Sequence, residues 1–372
     1  MQFTTGRWFV HSLTFSLFVY QLPSMSESIS SSRCRLTDMH EHSACEAGEP
    51  RHDTHFWFVD GSIILIAQGT AFRVHQTVLS RHSEIFRDLF SVPQPADQER
   101  SIGCPVVHLS DSRNDLRYLL RVLYDCGLSY YKLTPGRFNF AEVAAVVRMA
   151  HKYKLDELLQ DGIGLVKTIF TNDSEHWTTL RRGEGFLIRS PSLSMRMSDA
   201  VTAVNVIRLI NIPSMLPTAL YLCCFLSPIE LLRGCACPDG STVRLSSEDV
   251  EKCLTATPSL CCGNDRMYLS LVSRASPRCT SFSVCIAGLR RWLTSNIEND
   301  VDAYPSVLES LDRAIDVVAF NDTICEDCVK FVKSRDLERR QKWWNRLPTL
   351  FGLGTWSDLN DSIEAPSVSE TD

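Results

Sequence analysis

Cysteine is the residue whose spacing carries the most chemistry. The chain holds 15 cysteines in 372 residues, and the tight pair Cys325-x-x-Cys328 lies downstream of Cys279-x5-Cys285. Four thiolates from two such pairs can surround zinc tetrahedrally, although zinc modules of this kind use two tight pairs and only one is present. Cys325, Cys328, Val329 and Val332 also fall at i, i+3, i+4 and i+7. That is one helical face, which is how buried core cysteines look. Core packing is therefore the favoured reading and no cofactor is expected. A structural zinc site at Cys279, Cys285, Cys325 and Cys328 is the alternative, and thiol redox chemistry comes behind it. Cys223-Cys224, Cys235-x-Cys237 and Cys261-Cys262 are weaker, because adjacent cysteines rarely ligate one ion together.

Two further groups have chemical potential. His75 has the residue type of a general base, but no Ser or Cys nucleophile stands at matched spacing, so a structural role at a strand-to-helix junction is expected, with Asp60 as a hydrogen-bond partner. Residues 330–346 carry seven Lys/Arg against Asp336 and Glu338, with Trp343 and Trp344 between them. Basic residues interleaved with aromatics can bind nucleic acid. The commoner arrangement is a solvated helix whose tryptophans pack inward while the basic stems cover apolar surface. The chain has no Gly-rich phosphate loop, no His-Glu-x-x-His and no Gly-x-Ser-x-Gly, so no catalytic residue is nominated.

Composition bounds the class. At 44% hydrophobic and 22% charged, with a net charge of −6, the chain has a globular protein's make-up and no overall attraction for nucleic acid or a membrane. Residues 8–20 are apolar and follow Arg7, but His11 and several hydroxyls interrupt them and they are too short to span a bilayer. We expect an upstream extension rather than a targeting signal, hence an intracellular protein in cytoplasm or nucleus with reduced cysteines.

The elements that must position these residues begin at His55. Residues 57–67 hold an Asp60-Gly61 turn and then an unbroken apolar run, Ile63–Ala67, rich in β-branched residues, which suits a strand buried on both faces. A Gly69-Thr70 turn leads to a second strand at 71–74, giving a hairpin. From His75 onward Val78, Leu79, His82, Ile85, Phe86, Leu89 and Phe90 repeat at three and four residues, predicting two helices on one core, with Ser83 capping the second. A third strand at 106–109 and helices over Leu116–Tyr124, Val143–Tyr153 and Leu155–Phe170 complete the series, with Asp111 or Ser112 as a cap.

That order, and the residues Asp60, Phe72, Val74, His75, Leu79, Ser83 and Phe86, resemble the BTB/POZ family, as do Leu119-Leu120-x-x-Leu123-Tyr124 and Ala150-x-x-Tyr153. The resemblance implies an α+β fold, a short sheet with surrounding helices, over about 55–170. The mainly helical stretch 191–353, ending Trp344-x-x-Leu347-Pro348-x-x-Phe351-Gly352-Leu353, is similar to the Cys-containing partner of this domain in fungal BTB proteins. Helices are predicted over 198–211, 213–226, 247–256, 264–274, 281–297, 305–320 and 322–346, with prolines 213, 228, 258 and 305 as breaks. Residues 1–53 are expected to be a disordered leader, 171–190 a linker, and 354–372 a disordered acidic tail.

What the resemblance implies functionally is protein association: an adaptor or scaffold that pairs with itself, or meets a cullin ubiquitin-ligase scaffold or a corepressor. Phe90, Val92 and Ile102, around the loop Ser91–Cys104, are the nominated contacts. No apolar residue sits two before Glu99, so the cullin motif is incomplete, and residues 25–53 offer no obvious strand for exchange between copies. The second reading is a transcription-linked regulator using the basic helix.

Overall fold

The apolar run at 63–67 is the centre of a five-stranded sheet. In the computed structural model, which describes residues 49–92, 99–125, 131, 138–183, 187–237, 240–299, 305–320 and 324–361, the strands are Arg51–Trp57 (β1), Ile63–Ala67 (β2), Thr70–Val74 (β3), Arg100–Ser101 (β4) and Cys104–Leu109 (β5). Their spatial order is β1-β3-β2-β5-β4. All five side chains of β2 are buried. Ile63, Leu65 and Ala67 face a core shared with Phe72, Val74, Leu79, Phe86 and Leu116, whereas Ile64 and Ile66 join Ala71, Cys104 and Val106 on the other face. The alternation is the two-residue pleat of a strand, and burial on both sides is why the run contains no polar residue.

The hairpin closes one residue earlier than expected. Gln68 and Gly69 form the turn, with φ of 45° and 71°, and Ala67 pairs with Thr70. Two successive left-handed residues make the turn whose twist suits a two-residue hairpin, and glycine accepts that backbone without penalty. After it come Gln76–His82 (α1), Glu84–Ser91 (α2), Arg113–Asp125 (α3), Phe140–Lys152 (α4) and Asp156–Lys167 (α5). Ser83 caps α2 as anticipated: its hydroxyl accepts the Phe86 N–H at 3.1 Å and donates to the Tyr153 carbonyl at 2.6 Å. Ser112, not Asp111, serves α3, accepting the Asn114 N–H at 3.2 Å. The Asp111 carboxylate instead takes the Lys152 ammonium at 2.7 Å and the Tyr153 hydroxyl at 2.5 Å.

The expected leader ends too late, because β1 begins at Arg51 and lies parallel to β3. Its composition hid it, for only Phe56 and Trp57 are apolar. What holds it is Asp53, 2% exposed, which accepts the N–H groups of His55 and Phe56 and two N–H groups from Arg117 of α3, at 2.8 and 2.6 Å. Residues 1–48, which make up most of the expected leader, lie outside the described residues.

The expected linker at 171–190 is also corrected. Ser174–Thr179 is a helix (α6), and Arg181–Gly183 (β7) pairs with Leu187–Arg189 (β8). With Phe138–Asn139 (β6) and Leu193–Arg196 (β9) they make a second sheet, ordered β6-β9-β8-β7. Trp177 and Ile188 anchor the segment in the largest core, Trp177 standing 5.9 Å from both Tyr221 and Trp344. Two anchors eleven residues apart set up no periodicity, so the polar residues between them dominate the sequence signal. Helix α4 ties the two regions together: Val146, Met149 and Ala150 point into the first core, and Val143, Ala144 and Val147 into the larger one.

The rest is helical: Ala200–Leu209 (α7), Leu216–Cys223 (α8), Pro228–Arg233 (α9), Ser247–Val272 (α10), Phe282–Asn299 (α11), Asp312–Phe320 (α12) and Glu326–Leu350 (α13), with a small ribbon of Cys235–Ala236 (β10) and Thr242–Val243 (β11). The predicted pair 247–256 and 264–274 is one helix with Pro258 inside it, and 305–320 is helical only from Asp312. Proline removes one intrahelical N–H and crowds the preceding turn. Burial of Cys253, Ala256 and Leu260 on one face of α10 outweighs that cost. The tail is ordered at its start. Trp356 stacks on Trp344 at 5.0 Å, and the Asp361 carboxylate accepts the Ser214 N–H and hydroxyl and the Lys167 ammonium. Residues 362–372 lie outside the described residues. Among the described residues, no helix is long and apolar enough to cross a membrane.

Candidate functional site

His75 stands where β3 hands over to α1, and both its ring nitrogens are engaged. The Tyr124 hydroxyl accepts the His75 backbone N–H at 2.9 Å and lies 3.0 Å from Nδ1. In the tautomer with its ring proton on Nε2, the hydroxyl accepts from the amide and donates its own proton to Nδ1. Nε2 faces Asp60 Oδ1 at 3.3 Å. The Asp60 carboxyl is held below its ordinary range by its own backbone N–H first and by His75 second. Burial pushes the Tyr124 phenol up. The chain Asp60–His75–Tyr124, with Phe58 stacked on Tyr124 at 4.9 Å, fixes the junction between hairpin and helices. Phe72, Val74, Leu79 and Phe86 are fully buried, so the motif residues around His75 build the core.

The nominated contact residues separate into two kinds. Phe90 is half-buried and stacks on Phe86 at 5.8 Å, which in turn stacks on Tyr153 at 4.3 Å. It is packing more than surface. Val92, just past the end of α2, is 60% exposed, and Ile102 is 62% exposed. Residues 93–98 between them lie outside the described residues. Ile102 and Gly103 form the two-residue turn joining β4 to β5, with φ of 51° and 75°. A β-branched side chain in the left-handed region is a true outlier, since its Cβ crowds the following carbonyl. An isoleucine here gains little from burial and sits on a strained backbone. Sequence spacing marks the loop but not the strain.

The four candidate metal ligands converge. Cys279 lies in the loop before α11, Cys285 in the first turn of α11, Cys325 immediately before α13, and Cys328 in its first turn. Their sulfurs all lie within 4.8 Å of one another. Cys285 and Cys328 are buried, whereas Cys279 and Cys325 are half-buried and turn toward them. The Cys325 thiol is held below its ordinary range, chiefly by the Cys328 backbone N–H, while burial pushes the Cys328 thiol well up. The remaining pairs do not assemble in this way: Cys223 and Cys224 are buried in the large core, where their thiols are raised, and Cys262 is exposed.

Two arginines of the basic helix, Arg339 and Arg340, are used internally. Asp336 is fully buried and accepts from Arg339 at 2.7 Å and Arg340 at 2.8 Å. Arg339 also donates to the Val307 and Glu309 carbonyls, clamping the segment before α12 onto α13. Trp344 is buried, and Arg346 lies over the Trp343 ring at 5.0 Å. A groove of about 700 Å³ beside the helix is lined by Arg266, Arg335, Lys342 and Trp343.

A model of the BTB/POZ domain family matches residues 58–166. No curated protein matches the chain. The matched span starts just after β1 and runs through β2 to α5, and it contains every motif residue from Asp60 to Phe86. A hairpin running into paired helices, a parallel third strand on β2 and a helix carrying Leu119, Leu120 and Leu123 are the features that put those residues in place. The chain thus carries a BTB/POZ domain at residues 58–166, a fold that is in general a protein–protein interaction module rather than an enzyme, followed by a helical region.

Proposed function

We propose that this chain is an adaptor or scaffold whose BTB/POZ domain docks a protein partner through Val92 and Ile102, while the helical region braces the domain through α4 and offers a second surface. The observation that carries the reading is Ile102: an apolar side chain, 62% exposed, on a left-handed backbone at a hairpin tip. Backbone strain of this kind costs about 1–3 kcal/mol and persists where function needs it. Apolar anchors ringed by polar residues are what interface centres use, and here Arg100, Ser101 and Glu99 flank the tip.

Two partner classes fit: a second copy of this chain, and a cullin-type ligase scaffold or corepressor. The β1 strand supports the first, because it supplies a strand before the core and lies at the sheet's outer edge. The inward use of Arg339 and Arg340 removes support from the nucleic-acid reading. The test is affinity capture from source-cell extract with the full chain and with a Val92→Asp/Ile102→Asp variant, alongside light scattering of each. Loss of a captured protein, or of a dimer, in a variant with unchanged circular dichroism supports the reading; identical capture and identical mass overturn it.

A further inference from the structure

Sulfurs that merely fill a core point at carbon, yet here four point at one another. Cys325 Sγ stands 3.8 Å from Cys279 Sγ, and all four sulfurs lie within 4.8 Å. Backbone amides approach three of them: the Cys325 N–H donates to Cys285 Sγ at 3.2 Å, the Ser276 N–H to Cys328 Sγ at 3.3 Å, and the Cys328 N–H faces the Cys325 sulfur. Amide donors aimed at sulfur favour thiolate over thiol, and they are the outer hydrogen bonds that orient thiolates around a metal. The starts of α11 and α13 meet at the same point, so the positive ends of two helices face it.

Three arrangements of four cysteines can be weighed by distance. A disulfide has sulfurs about 2.05 Å apart, so the Cys279–Cys325 contact would have to close by roughly 1.8 Å. Thiols at this separation gain only weak S–H···S bonds, because the thiol is a poor donor and the sulfur a poor acceptor. A tetrahedral ion with metal–sulfur bonds of about 2.3 Å puts its sulfurs about 3.8 Å apart. The Cys279–Cys325 separation equals that edge, and the other sulfurs reach it by closing about 1 Å or less from the 4.8 Å limit.

We propose that Cys279, Cys285, Cys325 and Cys328 form a structural zinc site. Binding exchanges the thiol protons for the metal, one proton leaving per sulfur, with no change in oxidation state. Four protein ligands close the coordination sphere, so the ion has no open position for catalysis. Its role is mechanical. A third apolar cluster, which includes Leu271, Leu289, Trp292, Ile315 and Val332 beside Cys285 and Cys328, packs these helices together, and the ion would pin the starts of α11 and α13 at its edge. Sequence spacing nominates the four cysteines but ranks the site behind core packing, because Cys279 and Cys285 flank a helix start rather than forming a tight knuckle.

This inference is independent of the docking surface and is tested separately. The full chain, purified under reducing conditions without chelator, should carry about one zinc per chain. The metal should survive Cys262→Ser, which lies outside the cluster, and be lost in Cys279→Ser. To separate ligation from folding, cobalt is also exchanged into the unmodified chain; intense thiolate-to-cobalt charge transfer with tetrahedral d–d bands is expected. Zinc far below one equivalent with no such cobalt spectrum, iron in place of zinc, or a mass lowered by disulfide formation in the freshly reduced protein overturns the proposal.

Discussion

Replacing Ile102 with Asn separates stability from binding at one position. Ile102 occupies the first place of a two-residue turn with φ of 51°, followed by Gly103 at 75°. The left-handed backbone costs an L-residue about 1–2 kcal/mol, and Asn-Gly is the pair that this turn type favours. Against that gain stands lost burial. The side chain is 62% exposed, so its remaining contacts are worth at most about 1 kcal/mol. The net expectation is a variant more stable by about 0.5–1 kcal/mol, read as a higher urea midpoint with an unchanged slope. If the strain serves docking, the same variant binds its partner at least about tenfold more weakly, a loss of about 1.4 kcal/mol or more. Destabilisation by about 1 kcal/mol would refute the reasoning, because it would mean that Ile102 packs within its own chain.

Asp336→Asn leaves Arg339 and Arg340 beside a neutral amide in a buried site, so a loss of about 3–5 kcal/mol is expected, read by denaturant unfolding. Asp53→Asn keeps an oxygen for the His55 and Phe56 amides but removes the charge facing Arg117; water reaches half-exposed Arg117, so the cost is about 1–2 kcal/mol at neutral pH. Burial raises the Asp53 carboxyl, but the Phe56 and His55 amides and Arg117 outweigh it and leave it below its ordinary 3.8. A lowered acid stabilises the fold above that value and stops doing so as pH falls through its folded-state range. The gap between native and Asp53→Asn stability should therefore hold at neutral pH and shrink progressively below about pH 4.

The sheet-and-helix core was legible because its signals are local. Ile63–Ala67 admits no polar residue, and the three- and four-residue rhythm from Val78 to Phe90 begins where the strand ends. Ser83 reads as a cap because a hydroxyl before an apolar turn has a specific use. What was not legible depends on partners remote in sequence. β1 is polar except for Phe56 and Trp57, and it is held by Arg117, sixty-four residues away. Residues 171–190 look like a linker until Trp177 meets Tyr221 and Trp344. Pro258 looks like a break until the buried face of α10 overrides it. The cysteines divide in the same way: spacing nominates all four, but only the fold brings Cys279 and Cys285 to Cys325 and Cys328. Arg339 and Arg340 appear as surface charge in the sequence, and Asp336, three and four residues back on the same helix, turns them inward.

Amide hydrogen exchange of the full chain, alone and with its captured partner, tests the docking claim most directly. Slowed exchange at Leu89–Val92 and at residues 99–104, with β2 and β3 unchanged, is the predicted footprint. Protection confined to the helical region beyond Arg189, with the hairpin tip exchanging as fast as in the free chain, would contradict it.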